Sequence, residues 1–106
     1  SSMDRFEIST LRAYYGGLLT VKQDEMIRLH YDEDMSYGEI ADMFEVSRNA
    51  VLDSINKGVK HLENYESALH LVEKDIRLHA LLDELVDTAD TAVLDKVEQL
   101  KKILEG

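Results

Sequence analysis

The stretch SYGEIADMFEVSRNAVLDSI, residues 36–55, decides the fold of this chain because it contains start signals for two consecutive helices. Ser36 lies three residues before Glu39, which is the spacing of a capping box, and Ser47 is a second N-cap directly before Arg48. A helix, a short turn and a second helix make up a helix-turn-helix, whose second helix can lie in the major groove of DNA. The alternative is a helical hairpin that packs within the protein and binds nothing.

The apolar residues of this stretch follow helical spacing and predict how the two helices pack. Ala41 suits a steep crossing, because a small side chain at the point of closest approach lets two helices come together. Glu45 stands in the turn where glycine is usual, and a non-glycine residue with left-handed backbone costs about 1 kcal/mol there. The apolar positions of the two helices and the turn are Ile40, Ala41, Phe44, Val46, Val51 and Ile55.

The charge of the chain argues against nucleic-acid binding over most of its length. Twenty-two acidic residues against twelve basic ones give a net charge of −10 in 106 residues, and an acidic surface repels phosphate. Residues 48–60 are an exception, since Arg48, Lys57 and Lys60 against Asp53 leave a net +2 and the remainder of the chain carries −12. This basic segment predicts weak, salt-sensitive DNA binding.

The second helix of the motif supplies the predicted DNA contacts. Arg48 and Asn49 would enter the groove first, and by bidentate geometry arginine prefers guanine and asparagine prefers adenine. The alternative for each polar residue is a solvated helix face, and we prefer that alternative for Asp53. The residues that we predict to contact DNA are Ser47, Arg48, Asn49, Leu52, Asn56, Lys57 and Lys60.

The remainder of the sequence also has helical periodicity, which predicts an all-α fold. A helix over 4–19 contains Gly16-Gly17, whose low helix propensity indicates close approach of another helix or a kink. A capping box at Thr20 and Gln23 starts the next helix, and a last helix runs from about Ala92 to Leu104. We therefore expect a helix-turn-helix domain over 4–60 and a helical C-terminal extension over 61–106, together in one compact unit.

Apolar residues at heptad spacing continue beyond the motif and predict one helix from Arg48 to about Val86. A helix of about 39 residues is close to 60 Å long, which exceeds the width of a domain of this size. Either it breaks near Gly58 or Ile76, or it projects and pairs with a second copy, which is the expectation that we prefer to an intramolecular core. The predicted oligomer interface consists of Leu62, Tyr65, Leu69, Val72 and Ile76.

Signatures of catalysis and of cofactor binding are missing from the sequence. The lack of cysteine excludes disulfides, thiolate metal sites and thiol nucleophiles. His61, His70 and His79 are nine residues apart, which puts neighbours on opposite faces of a helix and prevents a shared metal ion. The apolar runs are too short to span a bilayer. We predict a cytoplasmic protein that is not an enzyme, does not insert into membranes and has no cofactor.

Three segments together resemble the YlxM-type bacterial proteins: LLTVKQ at 18–23, YDEDMSYGEIADMFEVSRNAV at 31–51 and LENYESALHLVEK at 62–74. The resemblance implies a small helical protein similar to region 4 of sigma factors and linked to the signal recognition particle pathway through neighbouring genes. It further implies a role in regulating genes for components of that particle. The sequence departs from the family pattern at Val21, at Leu52 and at 56–58, and the last change lowers the positive charge of the DNA-facing helix.

Two functions are consistent with these features. The first is a non-enzymatic DNA-binding regulator of transcription. The second is a protein-interaction module that binds a signal-recognition-particle component without sequence-specific DNA binding, which strong acidity and an exposed apolar stripe favour. DNA binding should depend on Arg48, Lys57 and Lys60, whereas partner binding should depend on the acidic surface or on the stripe.

Overall fold

The computed structural model describes residues 4–88 and 90–106, and in these ranges the regular structure is helical, which confirms the predicted all-α class. The chain forms two compact units, one up to His70 with α1 to α4 and one from Leu71 onward with α5 and α6. A 3₁₀ turn, Gly16–Leu18, follows α1. The α-helices are α1 (Arg5–Tyr15), α2 (Val21–Tyr31), α3 (Tyr37–Phe44), α4 (Arg48–Leu69), α5 (Leu71–Thr88) and α6 (Thr91–Glu105).

The starts of α2, α3 and α4 are fixed by the caps that the sequence predicts. Thr20 and Gln23 form a complete capping box at α2, and Ser36 and Glu39 form another at α3. Ser47 caps α4 by accepting a hydrogen bond from the backbone further along the helix. Each cap satisfies amides that have no partner within the helix, so these boundaries are set locally.

Helix α4 is the central element of the first unit, since α1, α2 and α3 all pack against it. The lack of a side chain at Gly58 lets α4 lie close to α2. A Cβ atom at this position would lie only 2.6 Å from Cδ1 of Ile27 on α2. Gly16 likewise faces a neighbouring helix, with Asp24 Oδ1 2.7 Å from a would-be Cβ. The close approach expected at Gly16-Gly17 is thus found at Gly16 but not at Gly17, and α1 ends at Tyr15 instead of continuing to residue 19. The apolar core includes Ile8, Tyr15, Met26, Ile27, Ile40, Val51, Ile55 and Leu62.

The expected single helix from Arg48 to Val86 is wrong, because α4 ends at Leu69. His70 adopts the left-handed conformation (φ 55°, ψ 32°), which stops the helical hydrogen-bond ladder before α5 begins. Neither break point that the sequence suggested ends a helix, since Gly58 lies within α4 and Ile76 lies within α5.

The predicted oligomer interface is only partly at the surface. Leu62 is fully buried within its own chain, and the ring of Tyr65 lies 5.9 Å from the ring of Tyr15. Leu62 is therefore a core residue and is not accessible to a second copy, which corrects its assignment. Leu69 and Ile76 are exposed and Val72 is half-buried, and their contact with a second copy stays a prediction.

The second unit is an antiparallel hairpin of α5 and α6. Lys101 Nζ lies 2.9 Å from Asp83 Oδ1, and His79 Nε2 lies 3.8 Å from Glu105 Oε1, so residue numbers rise on one helix as they fall on the other. Its buried apolar side chains, among the described residues, are Leu82 of α5 and Val97 of α6. None of the helices described in either unit combines the length and apolar character that crossing a membrane requires.

Candidate nucleic-acid interface

The turn between α3 and α4 has the geometry that a helix-turn-helix requires. Glu45 adopts the left-handed conformation (φ 56°, ψ 44°), as its place in the motif predicts. Its backbone N–H points at the carbonyls of Ala41 and Asp42, and the N–H of Val46 donates to the Ala41 carbonyl at 3.0 Å. These bonds satisfy the last carbonyls of α3 and turn the chain sharply toward α4.

The first residues of α4 are exposed and ordered by local contacts. The hydroxyl of Ser47 accepts a hydrogen bond from the backbone N–H of Ala50 at 3.0 Å, and both Arg48 and Asn49 are exposed. The guanidinium carbon of Arg48 lies 5.9 Å from the centre of the Tyr37 ring, at the outer limit of a cation–π contact. The first residue of α3 and the first residue of α4 are thus near each other at the start of α4.

Tyr37 belongs to an aromatic cluster with His30 and Tyr31. The ring of Tyr37 stacks on His30 at 4.2 Å, and the ring of Tyr31 meets His30 edge-on at 4.8 Å. Nδ1 of His30 donates to the carbonyl of Met35 at 2.8 Å, which fixes the imidazole plane. Burial raises the pKa of Tyr31, with a smaller effect from Tyr37. This cluster links the end of α2 to Arg48 through Tyr37.

Sequence reasoning missed this cluster, because no spacing rule connects His30 or Tyr37 to Arg48. The only available signal was a Tyr that directly follows the N-cap of the first motif helix. An aromatic residue at such a place is also compatible with simple packing, so the signal was weak.

The predicted DNA-contacting residues lie on the surface, with one exception. Ser47, Arg48, Asn49, Asn56, Lys57 and Lys60 are exposed, and Leu52 is half-buried. Asn56 and Lys60 line a groove of about 480 Å³ along α4. The other residues of this groove are Ile8, Tyr31, Val59, Glu63 and Asn64.

The positive charge of α4 is weaker than the residue count implies. Lys57 Nζ lies 3.0 Å from Asp53 Oδ2, so this ion pair offsets one of the three cations in 48–60. Asp42 and Glu45 are exposed on the neighbouring helix and turn. Arg48 and Lys60 remain as positive charges on an otherwise acidic surface. This distribution favours DNA binding at low ionic strength.

The acidic loop before α3, residues 32–34, forms ion pairs with arginines of the same unit. The Arg5 guanidinium forms an ion pair with Asp34 at 2.5 Å and holds the pKa of that carboxyl below its usual range. Arg12 binds Asp32 at 3.2 Å. In residues 4–88 and 90–106, no three His, Cys, Asp or Glu side chains are placed to hold a metal ion. The ion pairs of Asp32 and Asp34 connect this loop to α1.

The chain matches one protein-family model over residues 3–105, the family UPF0122, described as "Putative helix-turn-helix protein, YlxM / p13 like". It is 39% identical over 100 residues to a UPF0122 protein of Lactococcus lactis subsp. cremoris, covering 92% of this chain and 90% of the relative. It is 38% identical over 107 positions to the UPF0122 protein CA_C1753 of Clostridium acetobutylicum, covering 91% and 92%. A Clostridium perfringens UPF0122 protein is 39% identical, covering 96% and 90%.

Proposed function

Because the chain belongs to the UPF0122 family of YlxM/p13-like helix-turn-helix proteins, we propose that it binds DNA through α4 and regulates transcription. The observation that carries this proposal is the exposure of Arg48 and Asn49 at the start of α4, directly after the left-handed turn at Glu45. The first residues of the second helix are those that reach base edges when such a motif docks in the major groove.

The residues of α4 have distinct roles in the proposed complex. Arg48 reads guanine and Asn49 reads adenine through paired hydrogen bonds to the base edges. Ser47 and the free amides at the helix start bind a phosphate, which the positive end of the helix dipole favours. Lys60 and Lys57 contact the backbone, and Lys57 must first leave Asp53.

Selection from a random duplex library, carried out at low and at physiological salt, tests this proposal. We expect enrichment of a defined motif, with affinity that falls steeply as salt rises. Arg48→Ala should weaken binding to the selected site by about 1–3 kcal/mol and relax the preference at one base pair. The matched control is Lys102→Ala, which removes one positive charge from α6 and should change affinity little. Equal affinity for Arg48→Ala and the parent protein would contradict the role of Arg48.

A second candidate function is supported by the acidity of the chain. A net charge of −10 favours a basic partner, and the family resemblance points to a component of the signal recognition particle. In this candidate the exposed carboxylates, such as Asp42 and Glu45 beside α4, make the contacts. Failure to retain any duplex even at low salt, with binding of a purified particle component that is lost in Asp42→Asn/Glu45→Gln, would favour it over DNA binding.

A further inference from the structure

The α5–α6 hairpin carries an apolar face that its own helix–helix contact does not use. Among the described residues of the hairpin, only Leu82 and Val97 are buried apolar residues. Eight other large apolar side chains of the hairpin remain 41–77% exposed, and six of these form one continuous face. The six are Leu78, Leu81 and Leu85 of α5, and Val93, Leu100 and Ile103 of α6.

Helix geometry places these six side chains on one side of the hairpin. At about 100° per residue, the three leucines of α5 lie about 40° to 100° from Leu82, all in the same rotational sense. The three apolar residues of α6 are displaced from Val97 in the same sense, by about 40° to 120°. An axis perpendicular to the hairpin plane relates its two antiparallel helices, so equal displacements fall on the same side. We call these six residues the outer apolar face.

The size of the outer apolar face fits a protein interface. Helices of 18 and 15 residues are about 27 and 22 Å long and pack about 10 Å apart, so they present a face of about 500 Å². Two such faces in contact bury about 1,000 Å², the lower range for a specific interface. Two short helices with two buried apolar residues have little stability of their own, so covering this face also stabilises the hairpin.

The charges beside the face indicate what covers it. Two shallow grooves run along α5 and share Leu81. Lys74 and Arg77 border the first groove together with Leu78. The second groove is bordered by Glu84, Leu85 and Thr88. Along α5 the face is thus bordered by basic side chains before Leu81 and by an acidic side chain after it, a pattern complementary to itself after rotation by 180° about an axis near Leu81.

We propose that residues 71–106 pair with the same residues of a second copy, with α5 antiparallel to α5 of the partner subunit. Leu81 lies near the two-fold axis, and the outer apolar faces meet as the interior of a four-helix bundle. Arg77 then faces the partner's Glu84, and Glu84 faces the partner's Arg77. Each ion pair occurs twice because the interface is isologous.

This surface differs from the seam that heptad spacing predicts. Ile76, the last residue of that seam, lies about 140° around α5 from Leu81 and points away from the outer apolar face. The two side chains are exposed to similar extents, 63% and 57%. They therefore form a matched pair for deciding which side of α5 meets a partner.

Sedimentation velocity of the full chain from 1 to 200 µM, at 150 mM salt, tests the surface. We expect a dimer for the parent protein, a loss of dimer affinity of at least about 100-fold for Leu81→Glu, and a change of less than twofold for Ile76→Glu. Both positions are exposed, so circular dichroism should show unchanged helix content. A monomeric parent protein at 200 µM would overturn the proposal, and so would an equal loss for Ile76→Glu.

Charge reversal tests the antiparallel arrangement. Arg77→Glu alone, or Glu84→Arg alone, places like charges together twice per dimer and should weaken it by about tenfold. The double variant Arg77→Glu/Glu84→Arg restores both pairs and should return the dimer affinity to within about threefold of the parent. A double variant as weak as the sum of the single changes would overturn this arrangement. These measurements contain no DNA, so their outcome is independent of the function proposed above.

Discussion

At the scale of single residues, Gly58 sets the distance between α2 and α4. A Cβ atom at this position would lie 2.6 Å from Cδ1 of Ile27, and Ile27 is fully buried, so its methyl group has no free space to move into. The absence of a side chain at Gly58 thus has a packing purpose that outweighs the low helix propensity of glycine.

We expect Gly58→Ala to lower the free energy of unfolding by about 1–2 kcal/mol, because overpacking exceeds the gain in helix propensity. Ile27→Val removes the clashing methyl group, so in the double variant the two effects should not add, and about 1 kcal/mol should be recovered. Urea unfolding measures all three variants. Gly38→Ala is the control, since the nearest atom lies 3.9 Å from its Cβ, and it should be neutral or stabilising. Additive losses at 27 and 58 would contradict the clash.

Asp53 offers a second prediction at this scale, because its ion pair with Lys57 competes with phosphate. Asp53→Asn should raise DNA affinity by about three- to tenfold at 0.1 M salt and steepen the salt dependence by about one unit. Asp87→Asn makes the same change in net charge on α5 and should leave affinity nearly unchanged. If both variants bind alike in a titration with labelled duplex, overall charge and not the local pair controls binding.

At the scale of helices, the elements with local signals were predictable and those that depend on distant contacts were not. The caps at Ser36 and Ser47 and the left-handed Glu45 follow from spacing alone, because each satisfies backbone groups within a few residues. His70 gave no such signal, since neither glycine nor proline marks the end of α4. The stacking of Tyr37 on His30 joins two helices, and a single sequence does not encode that contact in any spacing.

The α5–α6 hairpin has a pH-dependent contact at His79. The hydrogen bond that Nδ1 donates to the Asp75 carbonyl raises the pKa of His79 above its ordinary value of 6.5, and the carboxylates of Asp75, Glu105 and Asp83 add to the shift. A raised pKa in the folded state means that protonated His79 stabilises the hairpin fully below about pH 6.5. The stabilisation is lost as the pH rises through the folded-state pKa.

Thermal unfolding of the parent protein and of His79→Gln between pH 5.5 and 8.5 measures this effect. The parent should be the more stable of the two below pH 6.5, and the difference should shrink above it. His61→Gln, at an exposed position of α4, serves as the control and should follow the parent across the range. A constant difference between the parent and His79→Gln would show that the proton on His79 has no part in stability.

At the scale of the whole molecule, the two compact units divide the features of the chain between them. The unit up to His70 contains the helix-turn-helix and its basic segment, and the unit from Leu71 contains the outer apolar face. Heptad spacing suggested self-association but placed it on a continuous helix, because spacing alone does not show where a helix is interrupted. The left-handed His70 interrupts the predicted seam between Leu69 and Val72.

A dimer formed through the second unit carries two copies of α4, which predicts a symmetric DNA site. Library selection with the parent protein should enrich two half-sites in inverted orientation, whereas Leu81→Glu should enrich a single half-site of the same sequence. Sequencing of the selected pools gives both results in one experiment. A single half-site for the parent protein under conditions where it is dimeric would contradict this prediction.

The contact between Arg48 and Tyr37 also provides an optical signal. The chain has no tryptophan, so emission near 305 nm comes from its five tyrosines without interference. A guanine that draws the guanidinium away from the phenol ring, 5.9 Å distant in the free protein, alters the surroundings of that one fluorophore. Unlabelled protein can therefore report its own encounter with a duplex, and Tyr37→Leu identifies the part of the signal that belongs to this ring.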